Sequence, residues 1–230
     1  MSDTLIIIDT GSGNLRSAAK AFEKAGAGQV LVSSRADDVK KAQRIVLPGQ
    51  GAFADCMKGL TSLPGMVAAL EEAVLKQGKP FFGICVGMQL LAARGFEHGQ
   101  HNGLGWLGGE VKALTPSDAT LKIPHMGWNN LRFEGSEVRG FEVNAPTNPR
   151  THEPAHPLLK DLGADPYVYF VHSYAFTPAQ PEDTLASCDY GGRFTAMVAR
   201  GNIAGTQFHP EKSQKTGLQL IKNFLEWKPQ

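Results

Sequence analysis

The chain of 230 residues carries 23 basic and 22 acidic side chains, so its formal net charge is +1, and lysine and arginine form no block. This balance gives no indication of a surface that binds nucleic acid or an anionic membrane. The length suits one large α/β domain over residues 1–230, although two small domains would also fit, and no apolar run reaches the roughly 18 residues of a membrane span.

Strands and helices alternate in the first part of the chain. The apolar run Thr4–Asp9 predicts a strand covered on both faces, Gly11–Asn14 predicts a turn, and helical spacing follows as far as Gly26. The further predicted elements are strands at Gln29–Ser34, Arg44–Gly49 and Phe81–Ile84 and a helix at Met66–Lys76. This alternation predicts a parallel sheet with helices on both faces.

The second half of the chain has a different pattern. Strands are predicted at Gly109–Leu114, Val168–Val171, Thr184–Cys188, Thr195–Ala199 and Ile203–Phe208, and an amphipathic helix at Thr216–Trp227. Short turns between the later strands favour antiparallel pairing. The predicted fold class is therefore α/β, with a mostly parallel central sheet flanked by helices and an antiparallel portion in the C-terminal half. The polar, proline-rich residues 134–157 are predicted to form an exposed loop or insertion.

Cysteine usage and the N-terminus predict a cytoplasmic location. The three cysteines, Cys56, Cys85 and Cys188, are an odd number without paired spacing, which is typical of a reducing compartment. The N-terminus has no basic region and its apolar run is short, so it is interpreted as a strand and not as a signal peptide. His98 and His101 have no third ligand nearby, so no metal site is predicted.

Cys85 lies at a predicted corner between a strand and a helix, in Gly83-Ile84-Cys85-Val86-Gly87. Glycines two residues away on each side allow such a tight turn because they have no Cβ to clash, as in the nucleophile elbow of hydrolases. Amide N–H groups at the helix start favour the thiolate, and the Val86 amide can donate to an oxyanion. The alternative, a cysteine packed as a small hydrophobic residue, is the interpretation for Cys56 and Cys188.

A thiol nucleophile needs an imidazole base, and the base needs an orienting carboxylate. His209 ends a predicted strand in Gly-Thr-Gln-Phe-His-Pro-Glu, and Glu211 follows two residues later, where an extended chain would point both side chains the same way. A surface His-Pro-Glu turn is the alternative for this tripeptide alone. His125 and His172 are predicted to lie in the core or beside the site, and the remaining histidines lie in polar loops: His98, His101, His152 and His156.

An elbow cysteine followed by a late His-Pro-Glu resembles the class I glutamine amidotransferases, whose core is flavodoxin-like. Blocks along the chain are similar to one branch, the glutaminase subunits of imidazole glycerol phosphate synthase: DTGSGNLRS, LPGQGAF, GICVGMQLL, KIPHMGWN, YFVHSYA, GTQFHPEKS and LIKNFL. Each block is weak alone, but their order from Asp9 to Leu225 is specific. The resemblance implies an enzyme that hydrolyses glutamine to glutamate and ammonia through a thioester.

The resemblance also implies roles for individual residues. The catalytic triad would be Cys85, His209 and Glu211. Backbone amides of Val86, Gln50 and Gly51 would bind the oxyanion, with Gln50 standing where the family more usually has valine. Glutamine would contact a set of residues around the thiol: Gly49, Gly51, Gln89, Ser173 and Tyr174.

A partner is implied as well. In this family the ammonia passes to a (β/α)₈-barrel cyclase, which uses it to make imidazole glycerol phosphate and AICAR in histidine biosynthesis, and no cofactor is implied. The positions that match the family's interface are Asn14, Lys122, Trp128, Tyr169 and Lys212. Trp128 is equally open to interpretation as a core residue. The resemblance further implies that the chain without its partner hydrolyses glutamine slowly, because the oxyanion strand needs a peptide flip.

Two alternative functions stay open at this level. The chain could be the glutaminase of another class I amidotransferase, or a catalytically silent binding subunit of the same fold. The blocks PHMGWN and HSYA favour the imidazole glycerol phosphate synthase branch over the first alternative, and the intact Cys85, His209 and Glu211 argue against the second. A nicotinamide site in the first turn is rejected, because Arg16 stands where the third glycine of a dinucleotide fingerprint belongs.

Overall fold

A computed structural model describes residues 3–134 and 156–229 of the chain. In its first part, strands and helices alternate in chain order: β1 (Thr4–Ile8), α1 (Leu15–Lys24), β2 (Gln29–Ser33), α2 (Ala36–Lys41), β3 (Arg44–Gly49), α3 (Phe53–Ser62), α4 (Met66–Glu71), β4 (Phe81–Cys85) and α5 (Val86–Gln89). A π-helical turn, Glu72–Lys76, continues α4.

The second part is mainly β-structure that ends in a helix. Its elements are β5 (Arg94–Gly95), β6 (His101–Asn102), β7 (Glu110–Ala113), β8 (His125–Asn130), β9 (Arg132–Phe133), β10 (Tyr167–His172), β11 (Tyr174–Thr177), β12 (Thr184–Asp189), β13 (Arg193–Arg200), β14 (Ile203–Thr206) and α6 (Gln214–Glu226). Short 3₁₀ turns occur at Pro157–Leu159, Pro181–Asp183 and Pro210–Lys212.

The main sheet has the strand order β2-β1-β3-β4-β14-β13-β12-β9. Its first five strands are parallel, and β13, β12 and β9 add an antiparallel portion. The predicted fold class is thereby confirmed. Because β3, β4 and β14 are parallel neighbours, their carboxyl ends meet at one edge of the sheet. The register there pairs Gly49 with Cys85 and Ile84 with Thr206, and ligands of open α/β sheets bind at this edge.

The parallel strands are covered on both faces, as their apolar sequences predict. Leu5, Ile6, Ile7 and Ile8 of β1 are all buried, and every residue of β3 and β4 is buried too. Helix α1 packs against α6, whereas α2 and α3 pack against α4. Two separate helical layers therefore enclose the sheet. The buried strands between them include β3 and β4, which lead to the site.

Two small sheets lie outside the main sheet. Strands β8 and β10 form an antiparallel pair, and β11, β7, β5 and β6 form the other sheet. The three cysteines are buried and unpaired. In residues 3–134 and 156–229, no helix has the length and apolar character needed to cross a membrane.

Some sequence predictions were incomplete or wrong. Strand β14 ends at Thr206, two residues before the predicted end at Phe208, because the chain turns there toward a 3₁₀ segment. Strand β8 was missed because its Gly127, Asn129 and Asn130 are poor strand formers, and its pairing with β10 overrides that propensity. Helix α2 and strand β11 were also not predicted. Most of the predicted loop at 134–157, namely residues 135–155, lies outside the described residues.

Candidate active site

Cys85 is the last residue of β4 and lies directly before α5. Its backbone has φ 55° and ψ −113°, a conformation that a residue with a side chain rarely adopts. Such strain persists only where the surroundings enforce it, and it is common at functional sites. The predicted sharp corner is therefore present, and the cysteine occupies its strained position.

The glycines around Cys85 have a direct packing reason. A Cβ on Gly83 would lie 2.6 Å from the Gly87 carbonyl oxygen, and a Cβ on Gly87 would lie 1.8 Å from the Leu47 carbonyl oxygen. A Cβ on Gly49 would meet the Gly87 nitrogen at 2.6 Å. Helix α5 can thus rest against β3 and β4 only because these three residues have no side chain.

His209 follows β14 and forms the second part of the site. Its Nδ1 lies 2.8 Å from Oε1 of Glu211, and both side chains are almost completely buried. The geometry differs from the predicted extended pair: Glu211 lies in the 3₁₀ turn Pro210–Lys212, so the turn and not a strand brings the carboxylate to the ring. Pro210 at the first position of this turn needs no backbone donor there.

The electrostatics of His209 reflect both neighbours. Burial acts to lower the pKa of the imidazole, but its interactions with the neighbouring Cys85 and Glu211 outweigh burial and raise the pKa to about 9. Nε2 is buried and forms no hydrogen bond with the described residues. Since Nδ1 is held by Glu211, Nε2 is the nitrogen that remains for exchanging a proton with the thiol.

A cavity of about 270 Å³ opens over the sulfur. Its walls come from the corner, the end of β3, the β10–β11 junction and the β14 loop, and its lining residues are Gln50, Gly51, Cys85, Val86, Gln89, Glu97, Pro124, Val171, His172, Ser173, Tyr174 and His209. The predicted nucleophile, base, oxyanion positions and most predicted glutamine contacts thus surround one space.

Two predicted site residues lie outside that cavity. Gly49 packs against α5, and Glu211 lies behind His209; both line a much smaller adjoining space, together with Asn14. Gln89 is buried and not an exposed helical residue. Its Nε2 donates to the Tyr174 carbonyl and to Oε1 of Gln207, each at 2.9 Å.

Sequence reasoning missed Gln207 and Glu97. Gln207 is fully buried, and its Nε2 lies 3.7 Å from Sγ of Cys85. No local signal indicated this contact, because β14 ends at Thr206 and the chain bends at Gln207 and Phe208. Glu97 lines the cavity and accepts a hydrogen bond from the Phe53 amide at 2.8 Å, and nothing in its local pattern indicated this.

His125 and His172 form a buried pair beside the site. Nδ1 of His125 lies 3.2 Å from Nε2 of His172, whose Nδ1 lies 2.9 Å from the Tyr174 carbonyl oxygen. Burial lowers the pKa of His125 to about 4 and that of His172 to about 3, so both rings are neutral at pH 7. His172 reaches the cavity wall, whereas His125 does not line it.

Three of the five predicted interface positions lie close together. Trp128 and Tyr169 are direct cross-strand neighbours in the β8–β10 pair, and Nζ of Lys212 lies 5.8 Å from the centre of the Tyr169 ring. Trp128 is 37% exposed, so it is not a core residue. Asn14 and Lys122 are exposed as well.

The family model of class-I glutamine amidotransferases matches residues 6–227. The chain therefore belongs to the class-I glutamine amidotransferase family, and the resemblance found in the sequence is confirmed. More particularly, the chain is 52% identical over 228 residues to the imidazole glycerol phosphate synthase subunit HisH of Rhodospirillum rubrum, across 97% of this chain and 98% of that one. It is 50% identical to the HisH subunit of Cereibacter sphaeroides, across 97% and 99% of the two chains.

Solved structures agree on the fold. A crystal structure of a glutamine amidotransferase superposes with a TM-score of 0.67 at 18% identity, covering 96% of this chain and 97% of that one. The structure of PurLQS from Thermotoga maritima gives a TM-score of 0.65 at 19% identity, covering 98% of this chain and 99% of that one.

In the part of the chain that the structure describes, no group of three histidine, cysteine or acidic side chains could hold a metal ion.

Proposed function

We propose that this chain is the glutaminase subunit of an imidazole glycerol phosphate synthase, which hydrolyses glutamine and passes the ammonia to a (β/α)₈-barrel cyclase. The observation that carries the proposal is the position of His209, held by Glu211 at 2.8 Å and coupled to Cys85 over a cavity. Relatives about half identical over almost the whole chain, named as HisH subunits of that synthase, support the choice of substrate and partner.

In the proposed reaction, the Cys85 thiolate attacks the carbonyl carbon of the glutamine side-chain amide. The imidazolium of His209 gives its Nε2 proton to the departing nitrogen, so that ammonia leaves and a thioester forms. The neutral ring then takes a proton from water, and the resulting hydroxide displaces the thiolate to give glutamate. Glu211 holds the ring at Nδ1 and stabilises its charged form through both proton transfers.

The oxyanion of each tetrahedral intermediate needs donors at the cavity wall. The backbone amides of Val86, Gln50 and Gly51 are the candidates, since all three residues line the cavity beside the sulfur. Gly51 has φ +102°, a conformation that favours glycine. A peptide that must turn its N–H toward the oxyanion can do so most cheaply beside such a residue, and this supports the expectation that the isolated chain is slow.

Recognition of glutamine is assigned to Gln89, Ser173, Tyr174 and the glycines Gly49 and Gly51. Both N–H groups of Gln89 are directed inward to the Tyr174 carbonyl and to Gln207, so Gln89 can offer the cavity only its carbonyl oxygen. A substrate group that donates hydrogen bonds, such as an ammonium or amide NH₂, fits that oxygen. Gly49 acts indirectly, because its contacts are with α5.

The cyclase is proposed to dock on the outer face of β8 and β10. Met126, Trp128 and Tyr167 are 62%, 37% and 48% exposed, although all three are large and apolar. Trp128 stacks on Tyr167 at 6.0 Å, which makes a preformed aromatic surface of the kind that anchors protein partners. The main chain of Tyr169 accepts from the His209 amide at 3.0 Å, so this face adjoins the site. Asn14, Lys122 and Lys212 are assigned to its rim.

The test uses the chain together with its barrel partner. Cys85→Ala should abolish synthesis supported by glutamine, yet synthesis supported by free ammonia should continue, because the barrel's reaction does not need the thiol. Cys188→Ala is the matched control, since burial raises the pKa of Cys188 to about 12 and leaves it inert. Glutamine-supported synthesis by Cys85→Ala would overturn the proposal. Failure of a glutamine-like diazo-ketone to label Cys85, with or without the barrel, would favour a silent subunit.

A further inference from the structure

Gln207 is a buried polar residue beside the sulfur that the proposed reaction does not use. Its side chain is 0% exposed, and its Nε2 lies 3.7 Å from Sγ of Cys85. It does not line the cavity, so it does not face a bound substrate. The reacting group that Gln207 contacts is therefore the nucleophile itself.

The Tyr174 carbonyl oxygen determines the orientation of the Gln207 amide through a chain of two hydrogen bonds, with Gln89 between them. The Tyr174 carbonyl oxygen can only accept, so the end of Gln89 that lies 2.9 Å from it must be the NH₂ group. That NH₂ group also lies 2.9 Å from Gln207, which must then present its oxygen. The NH₂ group of Gln207 is consequently turned to Cys85. Reversing either amide would place donor against donor or acceptor against acceptor.

A second chain of contacts fixes the same carbonyl. Nδ1 of His172 lies 2.9 Å from the Tyr174 oxygen, and because this nitrogen must donate there, Nε2 of the neutral ring accepts. It accepts from Nδ1 of His125 at 3.2 Å. Tyr174 also pairs with Ala113 in the sheet of β11 and β7. The carbonyl that orients Gln89 and Gln207 is therefore held from several sides.

We propose that Gln207 is a positioning residue for the nucleophile, donating an N–H bond that fixes the Cys85 sulfur and stabilises its thiolate form. A thiolate is a much better acceptor than a neutral thiol, so the bond favours ionisation and holds the sulfur at one rotamer. The thiol proton goes to Nε2 of His209, and Gln207 keeps its own protons throughout. This inference rests on the proposed function, in which Cys85 is the nucleophile.

The experiment compares Gln207→Leu and Gln207→Glu in the full chain. The rate at which iodoacetamide alkylates Cys85 is measured across pH, and mass spectrometry of the Cys85 peptide separates it from Cys56 and Cys188. Gln207→Leu should slow alkylation of Cys85 at neutral pH on the order of tenfold, because the sulfur loses its hydrogen-bond donor. Gln207→Glu should slow alkylation further at alkaline pH, where the ionised carboxylate repels the thiolate.

The matched control is Asn223→Leu, which removes another buried amide. Asn223 donates to the Leu158 and Lys160 carbonyls, at 2.9 and 2.6 Å. Its loss should lower the thermal unfolding temperature and leave the alkylation profile of Cys85 unchanged. If both Gln207 variants keep the wild-type alkylation rate, or if Asn223→Leu lowers that rate equally, Gln207 is only a structural amide and the inference is overturned.

A second readout separates this inference from the proposed function. Inactivation by a glutamine-like diazo-ketone should show a lower maximal rate in Gln207→Glu with an unchanged half-saturating concentration, because the new side chain still accepts a hydrogen bond from Gln89 and does not line the cavity. A higher half-saturating concentration with an unchanged maximal rate would place Gln207 in substrate binding and overturn the positioning role. If the wild-type chain resists the diazo-ketone while the Gln207 variants still slow alkylation by iodoacetamide, the result contradicts the proposed function alone.

Discussion

The buried ring of His125 should make the folded protein sensitive to mild acid. The ring is stacked against Tyr190 and Phe170, at centroid distances of 3.9 and 4.8 Å. Burial lowers the pKa of His125 from 6.5 to about 4, because the protonated ring cannot be hydrated there. In the unfolded chain the ring protonates near the ordinary histidine value. Its contribution to stability is therefore complete above pH 6.5 and is lost as the pH falls toward the folded pKa.

The size of the effect follows from the two pKa values. At pH 5 the unfolded histidine binds a proton that the folded one rejects, which lowers the free energy of unfolding by about 2 kcal/mol, against only a few tenths at pH 7. A phenylalanine at this position keeps the stacked ring but cannot titrate. His172 loses its donor in that variant at both pH values, so this cost cancels. His125→Phe should therefore lose about 2 kcal/mol less than the wild type between pH 7 and pH 5.

Urea unfolding at the two pH values measures this difference directly. Groups distant from His125 titrate alike in both proteins and drop out of the comparison, and burial keeps the neighbouring His172 neutral at both pH values, since its pKa is about 3. The control is His98→Asn, because His98 is exposed and asparagine tolerates its φ of 54°. This control should follow the wild type. The reasoning is refuted if His125→Phe loses as much stability as the wild type between the two pH values.

Three further predictions concern the reaction, the corner and the partner. Glu211→Gln removes the anion bonded to His209, so the pKa of His209 measured by NMR should fall and glutamine turnover should drop on the order of 10²–10⁴-fold. An unchanged pKa would contradict the conclusion that Glu211 helps to raise it. Gly87→Ala places a Cβ 1.8 Å from the Leu47 carbonyl oxygen, so the free energy of unfolding measured in urea should fall by about 1–3 kcal/mol or more. An unchanged free energy of unfolding would mean that α5 moves freely. Trp128→Ala should weaken binding of the barrel cyclase by at least about tenfold in calorimetry while alkylation of Cys85 in the free chain stays unchanged; unaltered affinity would exclude this face.

Local chemistry determined how far the sequence could predict this fold. Runs of branched apolar residues bounded by glycine and proline define the parallel strands, and Arg44–Gly49 was placed without error. Strand β8 gave no such signal, because its glycine and asparagines are held by cross-strand partners that are distant in sequence. Segments whose conformation depends on pairing and not on propensity are the ones that single-sequence reasoning misses.

The site shows the same division. The corner of Cys85 was predictable because the need for glycine on both sides leaves a mark in the sequence. The approach of Glu211 to His209 was predicted, but through the wrong geometry, since a 3₁₀ turn and not an extended strand produces it. The contact between Gln207 and the sulfur depends on strand register and on two amide orientations, neither of which a sequence displays.

The tight contact of α5 with β3 and β4 has a practical consequence for redesign. A single methyl group on Gly49, Gly83 or Gly87 would collide with backbone atoms, so these three positions next to the nucleophile cannot be varied. Ser173 is different, since it has a side chain, lines the cavity and is only partly buried. Attempts to change which amide this protein accepts should therefore vary the cavity wall at Ser173 and leave the three glycines unchanged.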